Sequence, residues 1–275
     1  MTQRTILDAI DDPELSGRLV DRRDALARSG RLAAILAVGS VPVALAAVAR
    51  SAFGQGIPQS VAEVLNFALT LEYLESEFYT RGLAAGTLIP SADRAVFQQI
   101  AKHEAAHVAF LQGTLGPAAI AKPTFDLTAR GAFGDVLLSY TTFKALAQAF
   151  EDTGVRAYKG QARRLINDKP VLSAALSIHS VEARHAAQVR KLRGLKGWIS
   201  TNSRNDLPAF TQGIYNGEEN VTQGAATITS LPNAAANGGL DAATEAFDEP
   251  LTKEQVLMIV DPFIVGDVDG DGGEG

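Results

Sequence analysis

Two stretches of this chain carry the same pair of patterns in the same order, and this repetition limits the fold more than any other feature. Glu72 stands seven residues before Tyr79, and a Glu-x-x-His follows at Glu104 and His107; Glu151 stands seven residues before Tyr158, and Glu-x-x-His returns at Glu182 and His185. Glu72 to Glu104 is 32 residues and Glu151 to Glu182 is 31. Residues three or four apart share one face of an α-helix, and seven residues are two turns, so each pattern aims its groups in one direction. Apolar residues extend the same stripes. Phe97, Ile100 and Leu111 flank the first Glu-x-x-His, and Leu172, Ala175, Ile178 and Val189 the second. Leu65, Ala68 and Phe78 accompany Glu72, and Leu137, Tyr140, Ala147 and Val155 accompany Glu151. All four glutamates and both histidines are therefore expected to point into a core. One Glu-x-x-His alone reads as a surface pair; two of them, each preceded by a Glu-x6-Tyr helix, describe two similar helical hairpins.

Apolar steps of three and four predict helices over residues 60–81, 91–114, 133–160 and 170–193. Pro90 and Ser91 open the second, Gly113, Gly116 and Pro117 close it, and Pro170 starts the fourth. The links inside each hairpin are short. Between the hairpins, the fifteen residues 117–131 could stretch roughly 50 Å if extended, enough to run the length of a bundle. Helix three then lies parallel to helix two, giving an all-α, up-down-down-up four-helix bundle with ferritin-like connectivity and a long crossover between helices 2 and 3.

The bundle accounts for residues 57–197 of 275, close to ordinary domain size. Residues 1–56 read as an export leader or membrane anchor. Arg22 and Arg23 precede eighteen uncharged residues that start at Leu32 and end at Ala49, and Ala47, Val48 and Ala49 supply an A-x-A cleavage site. The stretch is Ala-rich, contains Gly39 and Pro42, and would barely cross a bilayer, so cleavage is favoured over membrane association through it. The run from Asp21 to Leu26 resembles the twin-arginine export signal of bacteria, with Asp21 and Ala25 departing from its usual neighbours. An exported, periplasmic protein is expected, anchored only if the leader stays.

Residues 198–275 turn to Asn, Gly, Thr and Ser and predict a loop-rich extension. One short helix is expected near 252–260, where Thr252 to Gln255 resembles a capping box. The acidic end around Asp267, Asp269 and Asp271 imitates the start of a calcium loop but stops before the bidentate glutamate such a loop needs, so it reads as a solvated tail.

A formal charge of −6 offers no basic face for nucleic acid. With no cysteine in the chain, any metal must take oxygen and nitrogen ligands. Buried carboxylates need partners. Four of them carry −4, which two divalent ions would balance, and oxygen ligands with two imidazoles suit iron or manganese. Two iron ions, or alternatively two manganese ions, are expected, with no organic cofactor. His103 and His179 sit at different offsets from their motifs and read as ordinary, partly buried histidines.

Leu71-Glu72-Tyr73-Leu74-Glu75-Ser76-Glu77-Phe78-Tyr79 and Val181-Glu182-Ala183-Arg184-His185-Ala186-Ala187 resemble the bacterial ferritin-like domain family that includes desiccation-related proteins, within the ferritin and rubrerythrin superfamily. The resemblance covers residues 58–197. It implies that Glu72 and Glu151 are terminal metal ligands, that Glu104 and Glu182 bridge, and that His107 and His185 each take one metal. Tyr79 and Tyr158 are expected to hydrogen-bond ligand carboxylates. Glu75, one turn beyond Glu72, exceeds the minimal six ligands and is expected to stand behind them as an acid.

The expected function is redox chemistry with oxygen or peroxide: ferrous iron oxidation or peroxide removal by a di-iron or dimanganese site. The alternatives are a structural or desiccation-protective protein whose metals staple the bundle, and an accessory subunit of a membrane complex. A homo-oligomer stays open.

Overall fold

The computed structural model describes Ala46 and residues 56–266. The expected leader, Ala46 and Gly56 apart, and the acidic tail from Asp267 onward lie outside the described residues. Four long helices dominate: α1 (Gln59–Ala84), α2 (Ser91–Leu115), α3 (Tyr140–Ala162) and α4 (Lys169–Leu192). They form the up-down-down-up bundle, α1 paired with α2 and α3 with α4. Among the described residues no helix is long and apolar enough to cross a membrane.

The helix ends follow local chemistry. Gly86 and Gly116 adopt positive φ, where glycine meets no Cβ penalty, and so turn the chain out of α1 and α2. Ser139 caps α3, its hydroxyl accepting from the Thr142 N–H at 3.3 Å. The third helix thus begins at Tyr140 rather than near 133. Phe133 and Val136 are buried at a spacing that imitates a helix, but they lie on successive turns. Ala129, Arg130 and Gly131 upstream all take positive φ. Asp126 holds that reversal, accepting from the N–H groups of Thr128 and Arg130, both at 2.9 Å. The crossover is correspondingly longer than the sequence suggests, and the far end of the chain pins it: Phe125 bridges to Ile264, and Asp126 N–H donates to Phe263 O at 2.8 Å.

The bundle core has two unlike halves. Where α1 and α4 end and α2 and α3 begin, it is aromatic: Phe78 and Phe143 stack at 4.5 Å, and Phe97 and Phe150 meet them edge-on at 5.2 Å. At the opposite end it is aliphatic, built from Val64, Leu65, Leu111, Leu165, Val171 and Ile178. The acidic and histidine side chains lie between these halves.

Residues 198–266 wrap the outside. They hold a two-residue antiparallel hairpin, Thr222–Gln223 with Ala226–Thr227, and two short helices, α5 (Gly239–Glu245) and α6 (Lys253–Val260). Helix α6 starts at the capping box read from the sequence, with Thr252 Oγ1 accepting from Gln255 N–H and Gln255 Oε1 accepting from Thr252 N–H. Helix α5 follows Gly238 in left-handed conformation and has no side-chain cap, so nothing in its sequence announces it.

The wrap is fastened to the outer face of α3 by buried polar groups. Arg156 Nε reaches Glu218 Oε1 at 2.8 Å and donates to Glu249 O at 2.7 Å, while its Nη2 donates to Asn216 O at 2.9 Å. Asp152 accepts two bonds from Arg190, at 2.9 and 2.6 Å, and one from the Tyr215 hydroxyl at 2.8 Å. Gly160 lets this segment approach, since a Cβ there would stand 1.9 Å from Leu251 O. Gly160→Ala must displace residues 250–252, at the roughly 1–3 kcal/mol typical of overpacking. Urea denaturation should show that loss, with the helical circular dichroism of the folded state unchanged.

Candidate metal centre

Each long helix carries its functional groups at the middle of its buried stripe. Glu72, Glu104, Glu151 and Glu182 are shut off from solvent completely, and His107 and His185 nearly so. The six side chains placed in the core by sequence converge on one layer, two carboxylates from the Glu-x6-Tyr helices α1 and α3 facing the two Glu-x-x-His helices α2 and α4.

The geometry separates them into two overlapping quartets. His107 Nδ1 lies 3.1 Å from Glu72 Oε2, 3.1 Å from Glu104 Oε2 and 3.1 Å from Glu182 Oε1. His185 Nδ1 lies 2.8 Å from Glu104 Oε1, 3.4 Å from Glu151 Oε2 and 3.9 Å from Glu182 Oε2. Glu104 and Glu182 therefore turn one oxygen toward each histidine, while Glu72 attends only His107 and Glu151 only His185. In each quartet, Glu72, Glu104, His107, Glu182 and Glu104, Glu151, Glu182, His185, the candidate donor atoms lie within 4.8 Å of one another.

These groups fit a cation poorly matched by anything else present. Glu104 Oε1, Glu151 Oε2, both oxygens of Glu182 and His185 Nδ1 are buried without a hydrogen-bond partner among the described residues. An orphaned buried polar atom costs about 1–3 kcal/mol, and more when charged. A buried carboxylate left ionised costs several kcal/mol, so four rival the about 5–15 kcal/mol that holds a whole domain folded. The metal-free cluster must therefore take up protons.

The side chains respond accordingly. Burial pushes Glu182 well above the ordinary carboxylate range, and the charges of Glu104 and Glu72 add to it. Glu104 is raised by burial to about 7, restrained by the adjoining His107 and His185. Burial also raises Glu72, but the His107 cation and its hydrogen bond more than offset this and hold it below 4.5. For His185 burial acts downward, yet Glu151 and Glu104 lift it to about 11. His107 rises as well, against burial, through Glu72, Glu104 and Glu182.

The tyrosines pair across the two hairpins. The Tyr79 hydroxyl on α1 donates to Glu151 Oε1 on α3, and the Tyr158 hydroxyl on α3 donates to Glu72 Oε1 on α1. Burial and the adjoining carboxylates push both phenols well above their ordinary range, so they remain neutral donors. Glu75 is buried beside the cluster and is raised by burial and by the charges of Glu182 and Glu151. It enters neither quartet. Gly154 gives it room: a Cβ there would stand 3.3 Å from both Glu75 Oε1 and Glu182 Oε2.

His103 is partly buried and outside both quartets, and it touches the cluster from behind. Its Nδ1 lies 2.9 Å from His185 Nε2, and its Nε2 lies 2.6 Å from the side-chain amide of Gln99. The two rings are nearly coplanar, 12° apart with centroids separated by 5.1 Å. Two ring radii plus the N···N distance account for that separation, so the rings meet edge to edge. A hydrogen-bonded path thus leads from the buried His185 to exposed Gln99. The available signal was asymmetry: the residue before the motif glutamate is His103 in one half and Val181 in the other. His179 takes no place in either quartet.

The pH dependence of the metal-free protein follows. Glu104, raised from 4.5 to about 7, keeps a proton that the unfolded chain releases, so its contribution is full below pH 4.5 and declines as pH rises toward 7. The cation of His185, raised from 6.5 to about 11, stabilises fully below pH 6.5 and progressively less above it. Glu72, lowered from 4.5, acts with the opposite sign, but only below pH 4.5. Chelator-treated protein should thus show a lower urea midpoint at pH 8 than at pH 5.

Residues 60–195 match the family model of a ferritin-like domain. No curated protein matches the chain.

Proposed function

We propose, from the premise that residues 60–195 form a ferritin-like domain, that this domain holds two divalent metal ions, iron or manganese, and carries out redox chemistry with oxygen or peroxide. The observation that supports this most directly is the way Glu104 and Glu182 each divide their two oxygens between His107 and His185. One metal would take Glu72, Glu104, His107 and Glu182; the other would take Glu104, Glu151, Glu182 and His185. When bound, such a pair supplies reversible electron transfer to dioxygen or peroxide, with ferrous iron as a further substrate.

The protein's own groups tune that chemistry. Four carboxylates balance the +4 of two divalent ions, so the buried layer is neutral when loaded and can tolerate added positive charge. Tyr79 and Tyr158 hold Glu151 and Glu72 in place, as hydrogen bonds behind metal ligands do. Glu75, kept neutral among carboxylates, holds a proton next to Glu182. His103 fixes the ring of His185 through Nε2, leaving Nδ1 for the metal. Aromatic and aliphatic layers on either side keep bulk water away.

Elemental analysis of the folded chain should find two metal ions, and Glu104→Ala should lose both, because Glu104 serves both quartets. One ion or none in the wild type overturns the reading. In steady-state assays of peroxide consumption and of ferrous oxidation under dioxygen, Glu151→Gln should lose most turnover, since it deletes one of the balancing charges while keeping the shape. Glu75→Gln should lose less, within the about 10–100-fold typical of groups behind a metal ligand. A fully loaded wild type inactive in both assays would leave metals that only staple the bundle.

A further inference from the structure

On the aliphatic side of the cluster lies a cavity of about 20 Å³, on the scale of one or two water-sized spheres. Leu65, Ala68, Leu71, Leu111 and Ile178 are among the apolar residues that line it, beside Tyr158 and Gln161. Each of these belongs to a helix that also carries a member of the quartets. Ala68 stands one turn before Glu72, Leu111 one turn after His107, and Ile178 one turn before Glu182. The hydroxyl of Tyr158 is already committed to Glu72 Oε1. The opposite side of the cluster is filled, with Phe78 and Phe143 in stacking contact.

We propose that this cavity is a binding site for dioxygen, held one helical turn from the carboxylates. The inference rests on the di-metal reading above and narrows its oxidant from dioxygen or peroxide to dioxygen. The chemistry of the walls selects the ligand. Small apolar cavities stay dry and accept apolar guests, whereas water needs two to four polar partners. Peroxide would surrender all its hydrogen bonds but what the Gln161 amide can offer, a ferrous ion would find no charged oxygen on the walls, and organic molecules are too large. Dioxygen is small and apolar and loses nothing.

The test uses the paramagnetism of dioxygen itself. Methyl relaxation is measured on the full-length, metal-free protein under raised oxygen pressure. The methyls of Leu71, Leu111 and Ile178 should relax faster than those of Ile100 and Ile199, which are buried to a similar extent away from the cavity. Ala68→Leu, which projects a side chain into the cavity, should abolish the difference; Ala175→Leu, from another wall, serves the same purpose if the first variant does not fold. Equal enhancement at cavity and remote methyls overturns the proposal, as does enhancement that survives the filling variant. In the metal-loaded protein, the filling variant should raise KM for dioxygen while leaving KM for ferrous iron and the metal content unchanged; equal rises in both KM values overturn it too. The relaxation measurement needs no metal, so its failure removes the gas site alone, whereas a folded chain that binds no metal removes the di-metal reading alone.

Discussion

Glu72, Glu104, Glu151 and Glu182 occupy one layer of an apolar bundle, where each would forgo several kcal/mol of hydration if it stayed charged and alone. Almost every other feature of the domain answers that constraint. Two imidazoles from α2 and α4 stand among the carboxylates, two phenols cap the oxygens that face away from the histidines, and Gly154 opens the space that Glu75 and Glu182 share. Without metal, protons fill the deficit, which is why burial drives Glu75 and Glu182 so far upward. The same protons oppose metal loading, so stability and metal uptake respond to pH in opposite directions.

The site is close to two-fold symmetric, but its surroundings are not. The shared carboxylates Glu104 and Glu182 and the crossed tyrosines obey the repeat. His103 breaks it, giving His185 an outward hydrogen-bonded path whose counterpart position holds Val181. The aromatic half of the core breaks it again, filling one side of the cluster while the aliphatic half leaves a cavity on the other. Two quartets of like composition thus have unlike surroundings: His185 alone has the hydrogen-bonded path through His103, and free volume lies on one side of the layer only.

The bundle and the cluster were legible because both rest on periodicity. Glu72, Glu104, His107, Glu151, Glu182 and His185 sit on apolar stripes, and a doubled motif carries more information than either copy. Features set by tertiary contact were not legible. The spacing of Phe133, Val136 and Leu137 is that of a helix, yet left-handed residues at Ala129 and Arg130 and the bridge from Phe125 to Ile264 postpone α3 to Tyr140. Seven-residue spacing placed Tyr79 and Tyr158 facing inward but could not say that each would serve the other hairpin's glutamate. Nothing in the sequence marks Arg156 and Asp152 as buried, because their partners Glu218, Tyr215 and Arg190 lie 38 to 63 residues further on.

Those distant partners also fix an order of events. Every residue from Leu146 to Tyr158 is buried, and on the outer side of α3 Glu218, Tyr215 and Glu249, which follow the bundle in the chain, supply buried partners. During synthesis, which proceeds from the N-terminus, the four helices have all emerged by Leu192, while Arg156 still awaits Glu218 and Glu249. The contacts that cover this side of α3, which carries Glu151 and one of the two tyrosines, are therefore the last to become available. The wrap acts as a closing clasp: a chain cut before residue 214 would keep all four helices yet leave Arg156 without Glu218 and Glu249, and Asp152 without Tyr215, on the helix that carries Glu151.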